Sequence, residues 1–248
     1  MNLAIIILTK NEEKNITDVI TNAKMCTDEV IIVDSGSTDK TVELASKLKA
    51  KVVFREWDND FSAQRNFALT QTEADWILYL DADERMNPVL VESIKNVVIN
   101  NQDRQYNIMR KVSSFGHEFH HGIFKPDFVT RLFPKNSVRW ENKVHERPVC
   151  SLKLEKLDGH IEHYTYESWH QWMEKANYYT DIWAKDNFAQ GKRASLSSAF
   201  LHASFGFIRA YVFQRGFMDG WFGLYSSIQH FTYTVMKYLK LYEIQKQH

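Results

Sequence analysis

Trp76-Ile77-Leu78-Tyr79-Leu80-Asp81-Ala82-Asp83-Glu84 is an aromatic and aliphatic run of the kind that fills a buried strand, and it stops at two carboxylates spaced i, i+2. Strand side chains alternate faces, so this spacing places both acids on one side of the chain, held rigidly at the mouth of a crevice. Asn87-Pro88 then reads as the N-cap and first residue of a helix carrying Leu90, Ile94, Val97 and Val98 on one stripe. The acids therefore lie on a strand-to-helix loop at the carboxyl end of a strand, where open α/β sheets bind ligands. A hard divalent cation takes one or two carboxylates plus phosphate oxygens, and such a loop supplies the first part. An acidic turn ahead of a helix is the plain alternative.

Upstream, the pattern repeats. Leu3 to Leu8 is a continuous, largely β-branched run suited to a central parallel strand buried on both faces. A helix follows with Ile16, Val19, Ile20 and Ala23 on one stripe, then a strand over Glu29 to Val33 that ends at Asp34. Ser35-Gly36-Ser37-Thr38-Asp39 is a turn rich in capping residues ahead of a helix with Leu44, Ala45 and Leu48, and Asp39 itself reads as a helix cap. Lys51 to Phe54 is a short strand and Phe61 to Leu69 a helix. Strands alternating with helices predict βαβ units, a mainly parallel sheet and right-handed crossovers.

After about residue 100 the character changes. Tyr106 to Val112, Phe128 to Phe133 and Val138 to Trp140 are further strand candidates, and no linker precedes them. A long helix runs from Ser168 towards Gly191 with Trp169, Trp172, Met173, Ala176, Tyr179 and Trp183 at helical spacing, a stripe read as packing in preference to a sugar platform. Two more helical stretches, about 196–213 and 224–243, flank a glycine-rich segment. The expected organisation is an α/β domain over 1–167, with a nucleotide half to about 100 and an acceptor half beyond it, then a helical extension over 168–248.

The chain has 248 residues, 44% of them hydrophobic and 25% charged, enough for one sizeable core. Its formal net charge of zero gives no argument for a nucleic-acid partner. From Lys192 onward, however, seven Lys/Arg face two Asp/Glu. Those helices, rich in Phe, Tyr and Leu with Arg209, Arg215, Lys237 and Lys240 interleaved, suit peripheral contact with an anionic membrane, packing as a helical lobe, or a homodimer contact. Two cysteines, Cys26 and Cys150, make no disulfide framework. With no signal-peptide pattern and no spanning apolar run, a cytoplasmic protein is expected, at most peripheral on the inner membrane face.

Thr9, Asn11 and Glu12, Asp34, and Asp81 with Asp83 stand at three strand ends that neighbouring parallel strands would bring to one sheet edge. A carboxylate there accepts from a base N–H or ribose hydroxyl, and a metal at Asp83 neutralises diphosphate charge. No G-x-G-x-x-G or G-x-x-x-x-G-K-[ST] is present, which argues against a dinucleotide enzyme and a P-loop NTPase. His117, His120 and His121 share a loop, read as facing an acceptor in preference to binding zinc.

Ile7-Leu8-Thr9-Lys10-Asn11-Glu12-Glu13, Val33-Asp34-Ser35-Gly36-Ser37-Thr38-Asp39 and Asp81-Ala82-Asp83-Glu84 resemble the signature blocks of family 2 glycosyltransferases of the GT-A fold. The closer resemblance is to the bacterial lipopolysaccharide-core β-1,4-glucosyltransferase group. It extends through Phe61-Ser62-Ala63-Gln64-Arg65-Asn66, Arg131-Leu132-Phe133, Val144-His145-Glu146 and Gly216-Phe217-Met218-Asp219-Gly220. The resemblance implies that Thr9, Asn11 and Glu12 line the nucleoside pocket, that Asp34 accepts from uracil and that Arg65 lies near the diphosphate. It implies that Asp81 meets ribose or the metal shell, with Ala82 beside it in the nucleotide-sugar site, and that Asp83 ligates Mg²⁺ or Mn²⁺. His163 stands where similar sequences place a recurrent histidine, read either as a metal or diphosphate contact or as a structural residue. Glu146 stands where similar transferases place the base that deprotonates the acceptor.

The expected function is inverting transfer of a hexose, with UDP-glucose the expected donor, to a glycan or glycolipid acceptor such as lipopolysaccharide core. The rival enzyme is a sugar-phosphate nucleotidyltransferase, whose glycine- and arginine-rich N-terminal loop is missing. A rival of another class is an inactive glycan-binding protein at the membrane, against which the intact Asp81, Asp83 and Glu146 count.

Overall fold

The computed structural model describes residues 1–142 and 146–247. Strand β1 (Leu3–Thr9) lies between β2 (Val30–Asp34) and β4 (Trp76–Tyr79), parallel to both, with β3 (Lys51–Phe54) parallel to β2 at the edge. This central position explains the unbroken apolar run. Leu3, Ile5 and Ile7 point into one core with Ile16, Val19 and Ile20, whereas Ala4 and Ile6 point into another with Ala68, Phe133 and Trp140. Helices α1 (Ile16–Ala23), α2 (Thr41–Lys47), α3 (Phe61–Leu69) and α4 (Pro88–Asn100) connect the strands. The four α1 residues predicted to share a stripe are its four buried residues. At α4, Asn87 caps the helix by accepting from Leu90 N at 2.9 Å, with Pro88 opening it.

Beyond β4 come β5 (Glu84–Met86), β6 (Arg104–Ser114), β7 (His117–Glu118), β8 (Asp127–Pro134) and β11 (Lys153–Tyr164). The described residues form a nine-stranded mixed sheet in the order β3-β2-β1-β4-β8-β6-β11-β5, with β7 paired to the end of β6. A separate ladder joins β9 (Arg139–Glu141) and β10 (Arg147–Val149). Four of these strands, β5, β7, β10 and β11, have no counterpart in the sequence reading. β5 interrupts the predicted strand-to-helix loop, and β11 occupies a stretch with no predicted element. β11 buries only Leu157 and Ile161, so its sequence carries no period-two signal. Pairing holds it instead: Ile161, Glu162 and His163 face Met86, Arg85 and Glu84.

The chain clusters into two compact units, Met1–Arg110 with Asp127–His163, and Lys111–Pro126 with the segment from Tyr164 onward. The loop 111–126, counted above with the acceptor half, thus belongs to the second unit. That unit contains α5 (Trp169–Ala189), α6 (Leu196–Ile208), a π-helical continuation Arg209–Phe213, a 3₁₀ turn Gly216–Asp219 and α7 (Gly220–Gln247). Ser168 caps α5 and Ser195 builds a capping box on α6. On α5 the buried residues are Trp172, Ala176, Thr180, Ala184 and Asn187, while Met173 and Tyr179 are exposed. Only part of the predicted aromatic stripe is therefore packing. Gly223 explains much of the glycine-rich segment, because a Cβ there would lie 1.7 Å from the Gly216 carbonyl oxygen. Among the described residues no helix is long and apolar enough to cross a membrane.

Asp219 ties this unit to its histidine loop. One carboxylate oxygen accepts from the backbone of His120 and His121 at 3.0 and 2.9 Å, and the other meets His121 Nδ1 at 2.8 Å. The expected metal-or-acceptor loop is thus engaged locally, and His117 stacks on Phe222 at 4.4 Å.

Gly159 has φ +90° on β11, and a Cβ there would meet Leu90 N at 2.3 Å. Gly159→Ala should therefore destabilise the protein by about 1–3 kcal/mol through strain and α4 displacement, read by urea unfolding. A second prediction concerns acid. Burial works to raise the Asp219 carboxyl, but its hydrogen bonds with His121 and His120 outweigh this and hold it below the usual range. A depressed folded value gives stability that is present above the unfolded value of about 3.9 and is lost as pH falls through the folded one. Asp219→Asn should lower stability near neutrality and flatten its fall below about pH 4, measured by urea titration across pH.

Candidate active site

At the carboxyl ends of β1 and β2, a cavity of about 240 Å³ is lined by Thr9, Glu12, Ser35, Trp57, Phe61 and Gln64, among others. It sits beyond the carboxyl ends of neighbouring parallel strands, the side on which open parallel sheets bind ligands. Trp57 and Phe61 pack edge to face at 4.6 Å. Gln64 donates to the Arg55 and Glu56 carbonyls at 3.0 and 3.2 Å, and its buried Oε1 has no hydrogen-bond partner among the described residues. An unpaired buried acceptor at a cavity wall suits a ligand N–H or O–H.

The strand-end polar residues hold this rim together. Asp34 accepts from Gly36 N and Ser37 N, both at 2.9 Å, while its other oxygen meets Ser37 Oγ at 2.5 Å and Thr9 Oγ1 at 3.4 Å. Asn11, at φ +57°, accepts from Thr38 N at 2.8 Å and donates its N–H to Ser37 Oγ at 2.9 Å. Glu12 N donates to Thr41 Oγ1 at 2.8 Å, and Glu12 Oε2 accepts from Asn15 at 2.8 Å. Asp39 accepts from Thr41 N at 3.0 Å, which serves the start of α2. Thr9 and Glu12 line the cavity; Asn11 and Asp34 shape the loops around it.

The acidic loop behaves differently from the alternation argument. β4 ends at Tyr79, so Asp81 and Asp83 lie in a turn, where the i, i+2 rule no longer applies. Asp81 turns to two arginines, Arg131 Nη2 at 2.5 Å and Arg65 Nη2 at 3.2 Å. Asp83 turns to His163, Oδ2 to Nε2 at 3.3 Å. Ala82 is buried in the core beside them. Glu84, fully buried, pairs with Arg131 at 3.3 Å and Arg110 at 3.6 Å and accepts from Asp81 N at 2.9 Å. Burial works to raise Asp81, but Arg131 and Arg65 override it and hold the carboxyl well below the ordinary range. For Glu84 burial prevails over Arg131, and its carboxyl is raised.

Arg65 is itself almost wholly buried, with its guanidinium 4.6 Å from the Trp140 ring and 5.3 Å from that of Tyr79. Its Nη2 lies 3.5 Å from Glu146 Oε1, and its buried Nε has no hydrogen-bond partner among the described residues. Arg65 thus joins the two expected acids, Asp81 and Glu146. The α3 motif around it is explained residue by residue. Asp60 caps the helix, Ser62 Oγ donates to Asn142 O at 2.6 Å, and the Asn66 amide clamps both backbone groups of Trp140 at 2.8 Å. Val144 and His145, which precede Glu146 in the resembling block, lie outside the described residues, as does Lys143.

Asp83 and His163 stand 80 residues apart in sequence and meet because β11 pairs with β5. Burial works to lower His163, but the hydrogen bond and charge of Asp83 outweigh it and raise its pKa. Among the described residues no three His, Cys, Asp or Glu side chains gather as a metal cluster. A carboxylate and an imidazole alone suit Mg²⁺ or Mn²⁺ completed by phosphate oxygens and water, not an all-protein cage. Sequence reasoning gave no role to Glu84, Asn66, Trp140 or Arg131. Arg131 did carry a signal, since an arginine beside Leu132-Phe133 in a buried strand demands an acid partner.

The mainly parallel block, its cleft at the strand ends and the carboxylate loop after β4 are the GT-A architecture of glycosyltransferases. Residues 4–157 match the model of Glycosyl transferase family 2, and the chain belongs to that family. It is 31% identical to an uncharacterized glycosyltransferase of Rickettsia typhi across 97% of this chain and 85% of the relative. To one of Rickettsia bellii it is 33% identical across 97% and 86%. Glucosyl-3-phosphoglycerate synthase from Mycobacterium tuberculosis, solved with Mn²⁺, UDP and glucosyl-3-phosphoglycerate, aligns with a TM-score of 0.37 and 24% identity, covering 46% of this chain and 44% of that one. The chain thus spans less than half of that structure's chain.

Removing Arg131 tests the buried charges. Arg131→Met leaves Glu84 and Asp81 short of their main cation, and it should cost about 3–5 kcal/mol in chemical denaturation.

Proposed function

We propose that this glycosyltransferase moves a hexose from a UDP-hexose, UDP-glucose first among them, to a hydroxyl of a glycan or glycolipid such as lipopolysaccharide core, with inversion. The observation that carries this reading is the Asp83–His163 pair, 3.3 Å apart, which joins β11 to the loop after β4, the strand next to the one whose end lines the cavity. In this reading the cavity takes the uridine, with Trp57 and Phe61 offering ring faces and Gln64 Oε1 an acceptor. Asp83 and His163 would hold Mg²⁺ or Mn²⁺. When bound, the ion offsets charge developing on the departing diphosphate, which is Lewis-acid chemistry.

The chain's own groups do the rest. Glu146 accepts the proton of the acceptor hydroxyl as oxygen attacks the anomeric carbon. Arg65, wedged against Trp140 and Tyr79, orients Glu146 and Asp81 and presents its unpaired Nε–H in the same site. Asp81, with each oxygen on an arginine, acts in this reading by fixing those guanidinium groups. A cytoplasmic place of action fits the two unpaired thiols, Cys26 and Cys150.

Two measurements test this. With Mn²⁺ and UDP at about 100 times Kd, unfolding stability should rise by roughly 2.7 kcal/mol, and Asp83→Asn or His163→Ala should remove the metal-dependent part. Equal stabilisation with EDTA present would reject the metal. Glu146→Gln should lower turnover by about 10²–10⁴-fold with little change in UDP-sugar affinity. Near-normal turnover of that variant, or a product whose anomeric configuration is retained by NMR, would overturn the mechanism.

A further inference from the structure

The second unit holds a cavity of about 440 Å³ between α6 and α7 that the transfer reaction does not use. His202, Arg209, His230 and Lys237 all line it, and no aspartate or glutamate does. Among the described residues, none of these four lies in an ion pair with a carboxylate. Lys237 Nζ instead rests against aromatic faces, 4.9 Å from Trp183 and 5.7 Å from Tyr238. Thr234, 4% exposed, also lines the wall, and its hydroxyl has no hydrogen-bond partner among the described residues. Burial depresses Lys237, and burial together with Lys237 and Arg209 depresses His230, which marks the cavity as short of negative charge.

The edge of this cavity is apolar. Leu201, Phe205, Ile208 and Val212 follow one another at helical spacing and are 71%, 62%, 45% and 50% exposed. Phe205 belongs to both the stripe and the cavity wall. At Arg209 the helix changes to π geometry, with Gln214 N donating to Arg209 O at 2.8 Å, a local widening that commonly accompanies functional sites. Cationic and hydroxyl groups in a pocket, bordered by an exposed apolar stripe, match one molecule with a phosphate at one end and a hydrocarbon at the other.

We propose that the α6–α7 cavity is a binding site for the phosphate headgroup of an anionic lipid, whose apolar part lies along Leu201, Phe205, Ile208 and Val212. The site is independent of the transferase reading, because none of its residues belongs to the proposed transfer machinery.

The test uses the full chain in two binding assays. Vesicles of phosphatidylcholine, alone and mixed with phosphatidic acid, are floated with the protein at low salt. Inorganic pyrophosphate is titrated while tryptophan fluorescence is followed, Trp183 lying beside Lys237. The protein should float with the phosphatidic acid vesicles and not with phosphatidylcholine alone. Arg209→Gln, at an exposed position, should weaken vesicle binding about fivefold, as should Lys237→Gln, whereas Lys237→Arg should restore it. Phe205→Ser should weaken vesicle binding and leave pyrophosphate affinity unchanged. Stabilisation by UDP should be the same in all four variants, which separates failure here from failure of the transferase reading. Equal flotation with both vesicles, or flotation unchanged by both Arg209→Gln and Lys237→Gln, would overturn the proposal. So would pyrophosphate binding without flotation, which would make the cavity a site for a soluble anion.

Discussion

The first unit depends on how the buried carboxyl group of Glu84 is partnered out of water. Its carboxylate is fully buried, and Arg131, Arg110 and the Asp81 backbone N–H surround it. Such a cluster adds little net stability over apolar groups of the same shape, but breaking it is costly. The constraint is therefore geometric. The observed path of the loop from Leu80 to Met86 satisfies Glu84, Asp81 and both arginines together. That path turns Asp81 inward to the guanidinium groups and leaves Asp83 at the histidine.

From that loop the site assembles by pairing. β5 is three residues long, and its partner β11 has little hydrophobic pattern of its own, yet the ladder sets His163 opposite Glu84 and so beside Asp83. On the other side, α3 brings Arg65 between two aromatic rings and links Asp81 to Glu146. A planar, permanently charged guanidinium suits this position because it stacks and bridges at once, which a lysine ammonium cannot do. Asp83 thus takes its direction from His163, whereas Asp81 and Glu146 share Arg65.

Much of this was legible beforehand. The parallel block was readable because a strand buried on both faces shows as an unbroken run, and helices packed on it show a 3.6-residue stripe; Leu3–Thr9 and Ile16–Ala23 both do so. The acidic loop and Asp83 were readable as a motif. β5 and β11 were not, because their pairing depends on residues far apart in sequence and their side chains carry no alternation. Asp39, read as a helix cap, accepts from Thr41 N at the start of α2, but the N-cap position itself is Lys40. The engagement of Asp34 and Asn11 with the Ser35–Thr38 turn was not readable, since which hydrogen bonds a short polar side chain makes depends on how two loops meet.

In the second unit, the amino-acid order alone announced three helices and the excess of positive charge. It could not say that part of the α5 aromatic stripe would be exposed, or that four basic and imidazole groups from α6 and α7 would converge on one cavity without an acid. Local sequence determines where the chain can be strand or helix, because backbone propensity and burial period act over a few residues. The direction of Asp81, the meeting of Asp83 with His163 and the clustering of Arg209 with Lys237 were decided by tertiary structure. Each is a balance of charge and burial between segments that approach one another only after the chain has folded.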